Sequence, residues 1–449
     1  MKESINYDLF STRPALIVDN PRANQSDDRW DHWDRIPTTQ ELSERLQDEM
    51  LSYQAIYLSV DRSGISALQS AKEVRGRFPL SPIYFVYGDD EAEEPLNAVE
   101  LRRLGIRDLV RRGEVREKIR ERTEKYRMLA PRLTEAIENR TKKVAKGAAI
   151  AEPVQIPGFR PVLVEELLGG DISLFDVHII LPSQKRIKIF AANDAFDVSR
   201  VLKYISEGIH WVYVREVSVR NCLQYNEFLS ENIVRNLHAS DEIKFLHVAN
   251  MSNLILLQFF GPRRPDFSKM LDEVGKVSEK IQQLLLTVGN DPTRMVRAFF
   301  RHAEHLHHAF SVAWVSGLLA LGMKMTSPKT LDVLTFASLY HDIGLFGEGA
   351  EIDEDEIHSE MGVQILEALG VSDASILQAV AQHHQKWGDG EVHVFAELIR
   401  MSDAIIWLLK NTVETERTKA LAQFREEQFN QFSLPVIEAF DAVFLNAEA

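Results

Sequence analysis

Short apolar runs alternate with helix-like segments in the first part of the chain. The runs ALIVD (15–19), AIYLSV (55–60) and PIYFVYG (82–88) are rich in β-branched and aromatic residues, and SALQSAKEVRGRF (66–78) separates the last two. Runs of this kind are typical of buried strands. Strands that alternate with helices predict a parallel sheet with helices on both faces. We therefore expect an α/β doubly wound domain at the N-terminus.

This first domain resembles a response-regulator receiver over about residues 12–125. Asp19 and Asn20 stand where that family has its acidic pair, and Ser59 stands where it has the phospho-accepting aspartate. The family's threonine is replaced by Tyr87 and its lysine by Arg112. Ordinary phosphoryl acceptance needs a carboxylate nucleophile beside a bound divalent cation. Ser59 has no carboxylate, and Asp61 lies two residues later. The resemblance with these substitutions implies a pseudo-receiver, and a generic flavodoxin-like scaffold is the alternative.

A second pattern of strands and one helix follows. Residues 176–191 have the pattern of a hairpin, residues 194–208 that of a capped amphipathic helix, and residues 210–217 that of a strand. This small α/β unit shows no catalytic cluster. His178 and His210 lie on apolar strands, so we interpret them as packing residues.

The chain is helical in pattern from residue 267 onward. In the stretch 267–288, one apolar stripe recurs at helical spacing. Its members are Met270, Val274, Val277, Ile281 and Leu284. Such a stripe is typical of a coupling helix or of a homodimer contact, and a plain core-facing helix is the alternative.

Side chains of the metal-ligand type recur in the last third of the chain. Glu304 and His308 are four residues apart and share a helix face. The other candidates, on four further segments, are His341, Asp342, His358, His383, His384 and Asp403. This mixed nitrogen and oxygen set suits Fe, Mn or Zn and exceeds the three protein ligands of a single catalytic zinc, so we expect two or three divalent ions. We interpret His302, His305, His307 and His393, which have no partner at ligand spacing, as surface or capping residues.

The motifs around these residues resemble HD-superfamily metal-dependent phosphohydrolases, most of all the HD-GYP domains, which hydrolyse cyclic di-GMP. YHDIG holds the family's His-Asp pair, and HAFSVAWVSGLLALG, HSEMGVQIL, HHQKW and RMSDAI match its other ligand segments in the same order. The resemblance runs from about residue 267 to the mid-420s. It implies that all eight residues bind metal, that Glu304 fills the place of a third-metal glutamate, and that Asp342, with His341 beside it, bridges two ions and orients the attacking water.

Three departures from the family pattern affect the substrate side. Leu345 replaces the lysine that follows HDIG, His358 comes only 17 positions after His341, and HHQKWGDG runs directly into EVHVFAELIRMSD with no Gly-Tyr-Pro motif. Loss of one charge-assisted contact to a phosphate costs about 2–4 kcal/mol of transition-state stabilisation. Lys386, next to the paired histidines, is our candidate for a replacement catalytic cation.

Charge and composition exclude several classes of protein. The formal net charge of −15 argues against binding a nucleic-acid polymer. The single Cys222 excludes an internal disulfide and fits a reducing compartment. No apolar run has the length of a membrane span, and the N-terminus does not have the pattern of a signal peptide. We therefore expect a cytoplasmic protein.

Together these patterns predict a multidomain signalling protein. Its expected parts are a receiver-like domain (1–130), a linker (131–157), a small α/β middle domain (158–262) and an all-α HD helical bundle (263–449). The first hypothesis is a divergent phosphodiesterase for cyclic di-GMP or a related phosphoester. A second keeps the metals but makes the domain a nucleotide-responsive or protein-binding signalling scaffold, and a third makes it a purely structural output domain.

Overall fold

The computed structural model describes two compact units, Met1–Ala239 and Ser240–Ala449. The described residues are 16–18, 34–36, 55–59, 65–78, 81–87, 101, 106–121, 153–167, 173–181, 183, 185–192, 194, 198–235, 241–260, 267–288, 291–303, 306–346, 355–388, 390–412 and 416–445. Asp19, Asn20, Asp61 and Glu304, with most of the predicted linker, lie outside them.

The first unit begins with a five-stranded parallel sheet. Its strands are β1 (Leu16–Val18), β2 (Asp34–Ile36), β3 (Ile56–Ser59), β4 (Ile83–Tyr87) and β5 (Ile106–Arg111), in the order β2-β1-β3-β4-β5. Helix α1 (Ile65–Arg77) connects β3 to β4 and packs Val74 against Phe85, while Tyr57 and Val110 are buried on the opposite face. Burial on both faces explains why the strands read as continuous apolar runs. This order is that of flavodoxin-like doubly wound sheets, and the receiver assignment stays a prediction.

The substituted receiver positions meet at the carboxyl edge of this sheet. Arg112 Nη2 donates a hydrogen bond to Ser59 Oγ at 3.1 Å, and Arg111 Nε donates one to Tyr87 Oη at 3.3 Å. The ends of three parallel strands thus lie together, as the alternation of strands and helices requires.

A second, antiparallel sheet completes the described part of this unit. Strands β6 (Phe159–Leu163), β7 (Val177–Ile180), β8 (Arg186–Phe190) and β9 (Trp211–Arg215) pair in the order β6-β9-β7-β8. The predicted hairpin is β7–β8, and the predicted amphipathic helix is α2 (Val198–Ser206); α3 (Val219–Arg235) follows β9. His178 is buried with its ring 5.2 Å from that of Phe159, edge to face, as a packing residue would be.

The second unit is helical throughout its described residues. Its helices are α4 (Asp241–Phe259), α5 (Phe267–Val288), α6 (Thr293–His302), α7 (His308–Gly322), α8 (Pro328–Tyr340), α9 (Asp355–Ala368), α10 (Ala374–Gln382), α11 (Val394–Lys410), α12 (Arg417–Gln428) and α13 (Leu434–Phe440). The all-α bundle predicted for this part of the chain is confirmed. Helix α4 belongs to this compact unit, which therefore begins before residue 262, the predicted end of the middle domain. Compact units and domains are defined differently, so the predicted domain bounds stay predictions.

Helix α7 is the central helix of the bundle. Its residues from Ala309 to Leu321 are all buried, and Ser316 Oγ donates to Ser402 Oγ of α11 at 3.0 Å. A helix that is apolar on all sides must be surrounded by other helices. The predicted stripe of α5 is also buried, and Ser278 Oγ lies 2.7 Å from Thr335 Oγ1 of α8. That burial favours the core-facing alternative for α5, and the homodimer contact stays a prediction. None of the described helices combines the length and apolarity needed to span a bilayer.

Candidate metal centre

Most of the ligand-type side chains lie at helix ends. His308 is the first residue of α7, His341 and Asp342 follow the last residue of α8, and His383 and His384 follow the last residue of α10. His358 lies in the first turn and a half of α9, and Asp403 lies in the middle of α11. Helix ends leave the backbone less crowded, so side chains from several helices can converge on one place.

Asp342 stands between two sets of imidazoles. Its Oδ1 lies 3.5 Å from His358 Nε2 and 3.6 Å from His383 Nε2. Its Oδ2 lies 3.4 Å from His308 Nε2 and 3.1 Å from His341 Nε2. One carboxylate therefore faces two groups of donors, one with each oxygen.

The donor atoms form two groups, each compact enough for an ion. One group is Asp342, His358, His383 and His384, the other is His308, His341 and Asp403, and within each group the atoms lie within 4.8 Å of one another. The shortest separations are 3.0 Å between His384 Nε2 and His358 Nε2, 3.2 Å between His358 Nε2 and His383 Nε2, and 3.3 Å between His308 Nε2 and Asp403 Oδ1. Ligands about 2.0–2.2 Å from one ion lie roughly 2.8–3.6 Å apart, depending on whether the ion is octahedral or tetrahedral, and these separations fall in that range.

The backbone orients two of these imidazoles. His341 Nδ1 donates to the Ser338 carbonyl at 2.8 Å, and His383 Nδ1 donates to the Val380 carbonyl at 2.7 Å. A carbonyl only accepts, so Nδ1 carries a proton and Nε2 is left to face the centre. His341 Nε2 is buried and faces Asp342 Oδ2 at 3.1 Å. Second-shell carbonyls of this kind accompany metal-binding histidines, so the donor set fits divalent ions.

Electrostatic attraction couples His341 to Asp342. Burial lowers the pKa of His341, but the attraction of the Asp342 carboxylate more than offsets it and raises the pKa to about 9. Burial raises the pKa of Asp342, yet His341 and the surrounding imidazoles hold it well below its usual range. Burial lowers the pKa of His383, which favours its neutral, ligating form. A divalent ion would replace the proton of His341.

Histidines predicted to be non-ligands have other contacts in the structure. His307 precedes α7 and its Nδ1 accepts from Ala309 N at 3.3 Å; His393 precedes α11 and its Nδ1 accepts from Phe395 N at 3.2 Å. Both therefore act as N-caps, as the capping interpretation predicts. Lys386 is exposed in the turn after His384, and Leu345 is exposed in the turn after Asp342.

Gly344 positions the centre and was not singled out by the sequence analysis. A Cβ at this position would lie 1.8 Å from the carbonyl oxygen of His358. The turn after Asp342 thus packs backbone against backbone on α9, which brings Asp342 next to His358. The signal was present in the sequence as the glycine of HDIG, but spacing alone does not show what a glycine approaches.

Comparison with known proteins supports the identity of this region. Residues 306–417 match the family model for the HD domain, a span that includes every proposed ligand except Glu304. No curated protein is similar enough in sequence to match the chain. Among solved structures, Bd1817, a HDG"Y"P protein from Bdellovibrio bacteriovorus, is similar to 64% of this chain over 100% of its own, with 16% identity and a TM-score of 0.41. Similarity at that level does not establish a common function. The family match shows that the chain contains an HD domain.

Proposed function

We propose that the HD domain of this chain is a divergent phosphodiesterase in a cytoplasmic signalling protein, with a cyclic dinucleotide such as cyclic di-GMP as substrate. The observation that supports it most is the position of Asp342, whose two oxygens face separate groups of ligand-type side chains. Two-ion centres with a bridging carboxylate are suited to hydrolysing phosphoesters.

Each side chain has a role in this proposal. Asp342 belongs to the group of His358, His383 and His384. Its Oδ2 also faces His308 and His341 of the other group, so in this proposal it binds an ion of each. Glu304 is retained as a further proposed ligand from the sequence. Bound Fe, Mn or Zn ions would polarise a phosphoryl oxygen and lower the pKa of water. The Asp342 carboxylate can accept a hydrogen bond from that water, and the carbonyls of Ser338 and Val380 keep two imidazoles aligned.

The residues expected to bind the substrate depart more from the family pattern than the proposed metal ligands do. Leu345 is exposed where the family has its lysine, so it can neither neutralise phosphate charge nor donate a proton. A missing contact of this type costs about 2–4 kcal/mol, which corresponds to a rate lower by roughly 30- to 900-fold. We retain Lys386 as a proposed replacement cation because it is exposed two residues after His384.

The second candidate function is a metal-containing scaffold that binds a nucleotide or a signalling protein without turnover. It is favoured by the apolar, exposed Leu345 beside the centre. It predicts that metal and ligand bind but that no phosphodiester is cleaved.

One experiment tests both candidates. The full chain, purified with and without oxygen, is analysed for Fe, Mn and Zn and assayed for conversion of cyclic di-GMP to linear dinucleotide or GMP. We expect stoichiometric metal and slow turnover, both lost in His341→Ala and Asp342→Ala. The matched control is His393→Asn, which removes another imidazole but keeps an N-cap of the same helix as Asp403. Metal without turnover would favour the scaffold, and protein that never binds these metals would refute both.

A further inference from the structure

The exposed surface next to the centre is apolar and aromatic. Three exposed large apolar side chains each follow a proposed ligand by three or four residues. They are Leu345 after Asp342, Trp387 after His384 and Trp407 after Asp403, with exposed fractions of 37%, 50% and 69%. Tryptophan has the largest apolar surface of any side chain, and an exposed one beside a functional centre suggests a contact with a ligand.

Trp407 and Lys410 lie on the same face of α11 as Asp403. The three residues are spaced at i, i+4 and i+7, which is the repeat of one helix face. Neighbours between them, such as Ile405, Ile406 and Leu409, are buried, while Trp407 and Lys410 are exposed. Helical side chains generally lean towards the N-terminus of their helix, so position 407 is suited to present its side chain over the turn that holds Asp403.

Lys410 supplies a cation on this face of the helix. It lies seven residues after Asp403, about two helical turns, and it is exposed. Lys410 is also in the last turn of α11, where a cation stabilises the helix, so its test must separate binding from stability.

We propose that Trp407 and Lys410 form a substrate subsite beside the metal centre, in which the indole stacks on a nucleobase and the ammonium neutralises a phosphate. The inference rests on the proposed phosphoester site and adds that its substrate is a nucleotide read through its base. An aromatic platform next to a cation suits a nucleotide, because every base has a face that can stack. A base-free phosphoester would use only the cation.

The test compares two probes that differ only in the base. Guanosine 5′-monophosphate and ribose 5-phosphate are titrated calorimetrically into the full-length, Mn²⁺-loaded protein. We expect Trp407→Ala to weaken binding of guanosine 5′-monophosphate by about tenfold while ribose 5-phosphate binds unchanged. Trp407→Phe should recover most of the loss. The matched control is Leu434→Ala, which removes another exposed apolar side chain, 60% exposed and outside α11.

Substitutions of Lys410 should change binding of the two probes in a different way from substitutions of Trp407. Lys410→Met should weaken both probes by the same factor and reduce the dependence of binding on salt, whereas Lys410→Arg should keep both. Lys386→Met, titrated with the same two probes, tests whether Lys386 neutralises the phosphate instead. A thermal melt of each variant shows whether the helix end has been weakened, and the affinity for Mn²⁺ shows whether the centre is intact.

Two kinds of outcome overturn the inference alone, and a third overturns the proposed function together with it. If the wild-type protein binds both probes equally, or if Trp407→Ala weakens both equally, no base subsite exists, although the phosphoester site stands. If Lys410→Met changes neither probe, the cation is elsewhere. If the metal-loaded wild type binds neither probe, the proposed function fails and the subsite fails with it.

Discussion

Replacing Gly344 with alanine should disrupt the metal centre without touching a ligand. The added Cβ would lie 1.8 Å from the carbonyl oxygen of His358 and 2.8 Å from the amide nitrogen of Gly362. Both atoms belong to the backbone of α9, so no side chain can rotate out of the way. The turn after Asp342 and the helix after it must therefore move apart.

The size of that movement follows from the contact distances. Ordinary Cβ contacts begin at 3.4 Å, so the two segments must separate by about 1.6 Å. Asp342 Oδ1, now 3.5 Å from His358 Nε2, would move out of reach of a shared ion. Substitutions that misplace metal ligands lower affinity by about 10- to 100-fold, and overpacking of a buried contact costs about 1–3 kcal/mol of folding stability.

The assay is a chelator competition that measures the affinity for Mn²⁺ or Zn²⁺, together with urea unfolding of the metal-free protein. We expect Gly344→Ala to lose both affinity and stability by these amounts. Gly275→Ala is the matched control, because a Cβ there meets nothing within 4 Å and the position lies inside α5. The control should keep full metal affinity and gain about 0.5–1 kcal/mol from the better helix former.

Two results would contradict this reasoning. If Gly344→Ala binds metal as the wild type does, the close approach of the turn to α9 does not position Asp342. If Gly275→Ala loses metal affinity to the same degree, an added methyl group anywhere in the unit lowers that affinity, and the contact of Gly344 with α9 is not the cause.

Three other predictions test separate parts of the second unit. Leu345→Lys should raise kcat/KM for cyclic di-GMP by at least about tenfold at unchanged metal content, and unchanged turnover would show that this position is not beside the phosphate. Glu397→Ala should cost about 1–3 kcal/mol in urea unfolding, because the buried carboxylate accepts from both the amide and the hydroxyl of Ser433; a smaller loss would mean that water replaces it. The raised pKa of His341, about 9 in the folded protein against about 6.5 when unfolded, contributes stability below about pH 6.5 that is lost as the pH rises through 9. Urea unfolding of the metal-free protein should show that decline and His341→Gln should abolish it, while a flat profile in the wild type would exclude a charged His341.

The candidate ligands could be singled out from the sequence because their chemistry is unusual for a helical core. Imidazoles and carboxylates at helix spacing are rarely buried together without a reason, and the structure brings seven of the eight candidates together. The parallel sheet was predictable for a related reason, since strands buried on two faces have continuous apolar runs. Periodicity does not say which neighbours a segment packs against. Helix α4 buries the polar residues Lys244, His247 and Asn250 among its apolar ones, so its sequence shows no single apolar face that would assign it to the bundle.

Contacts made by the backbone could not be predicted either. The carbonyls of Ser338 and Val380 orient two imidazoles, and any residue type at those positions would supply the same acceptor. The two oxygens of Asp342 face different groups of imidazoles, and that arrangement also depends on how the helices pack. Sequence spacing gives the residues of such a centre, and only tertiary packing gives its geometry.

Because the proposed ligands are spread from His308 to Asp403, the centre cannot be complete during most of the synthesis of this domain. The group of Asp342, His358, His383 and His384 is complete only after His384 is synthesised, and the group of His308, His341 and Asp403 only after Asp403. A bound ion would therefore be acquired late, by a nearly finished bundle. Its identity would depend on the free metal levels at that moment, since nitrogen and oxygen sites of this kind bind several divalent metals with affinities that differ by element. The same chain made under iron-rich and manganese-rich conditions should then contain different ions.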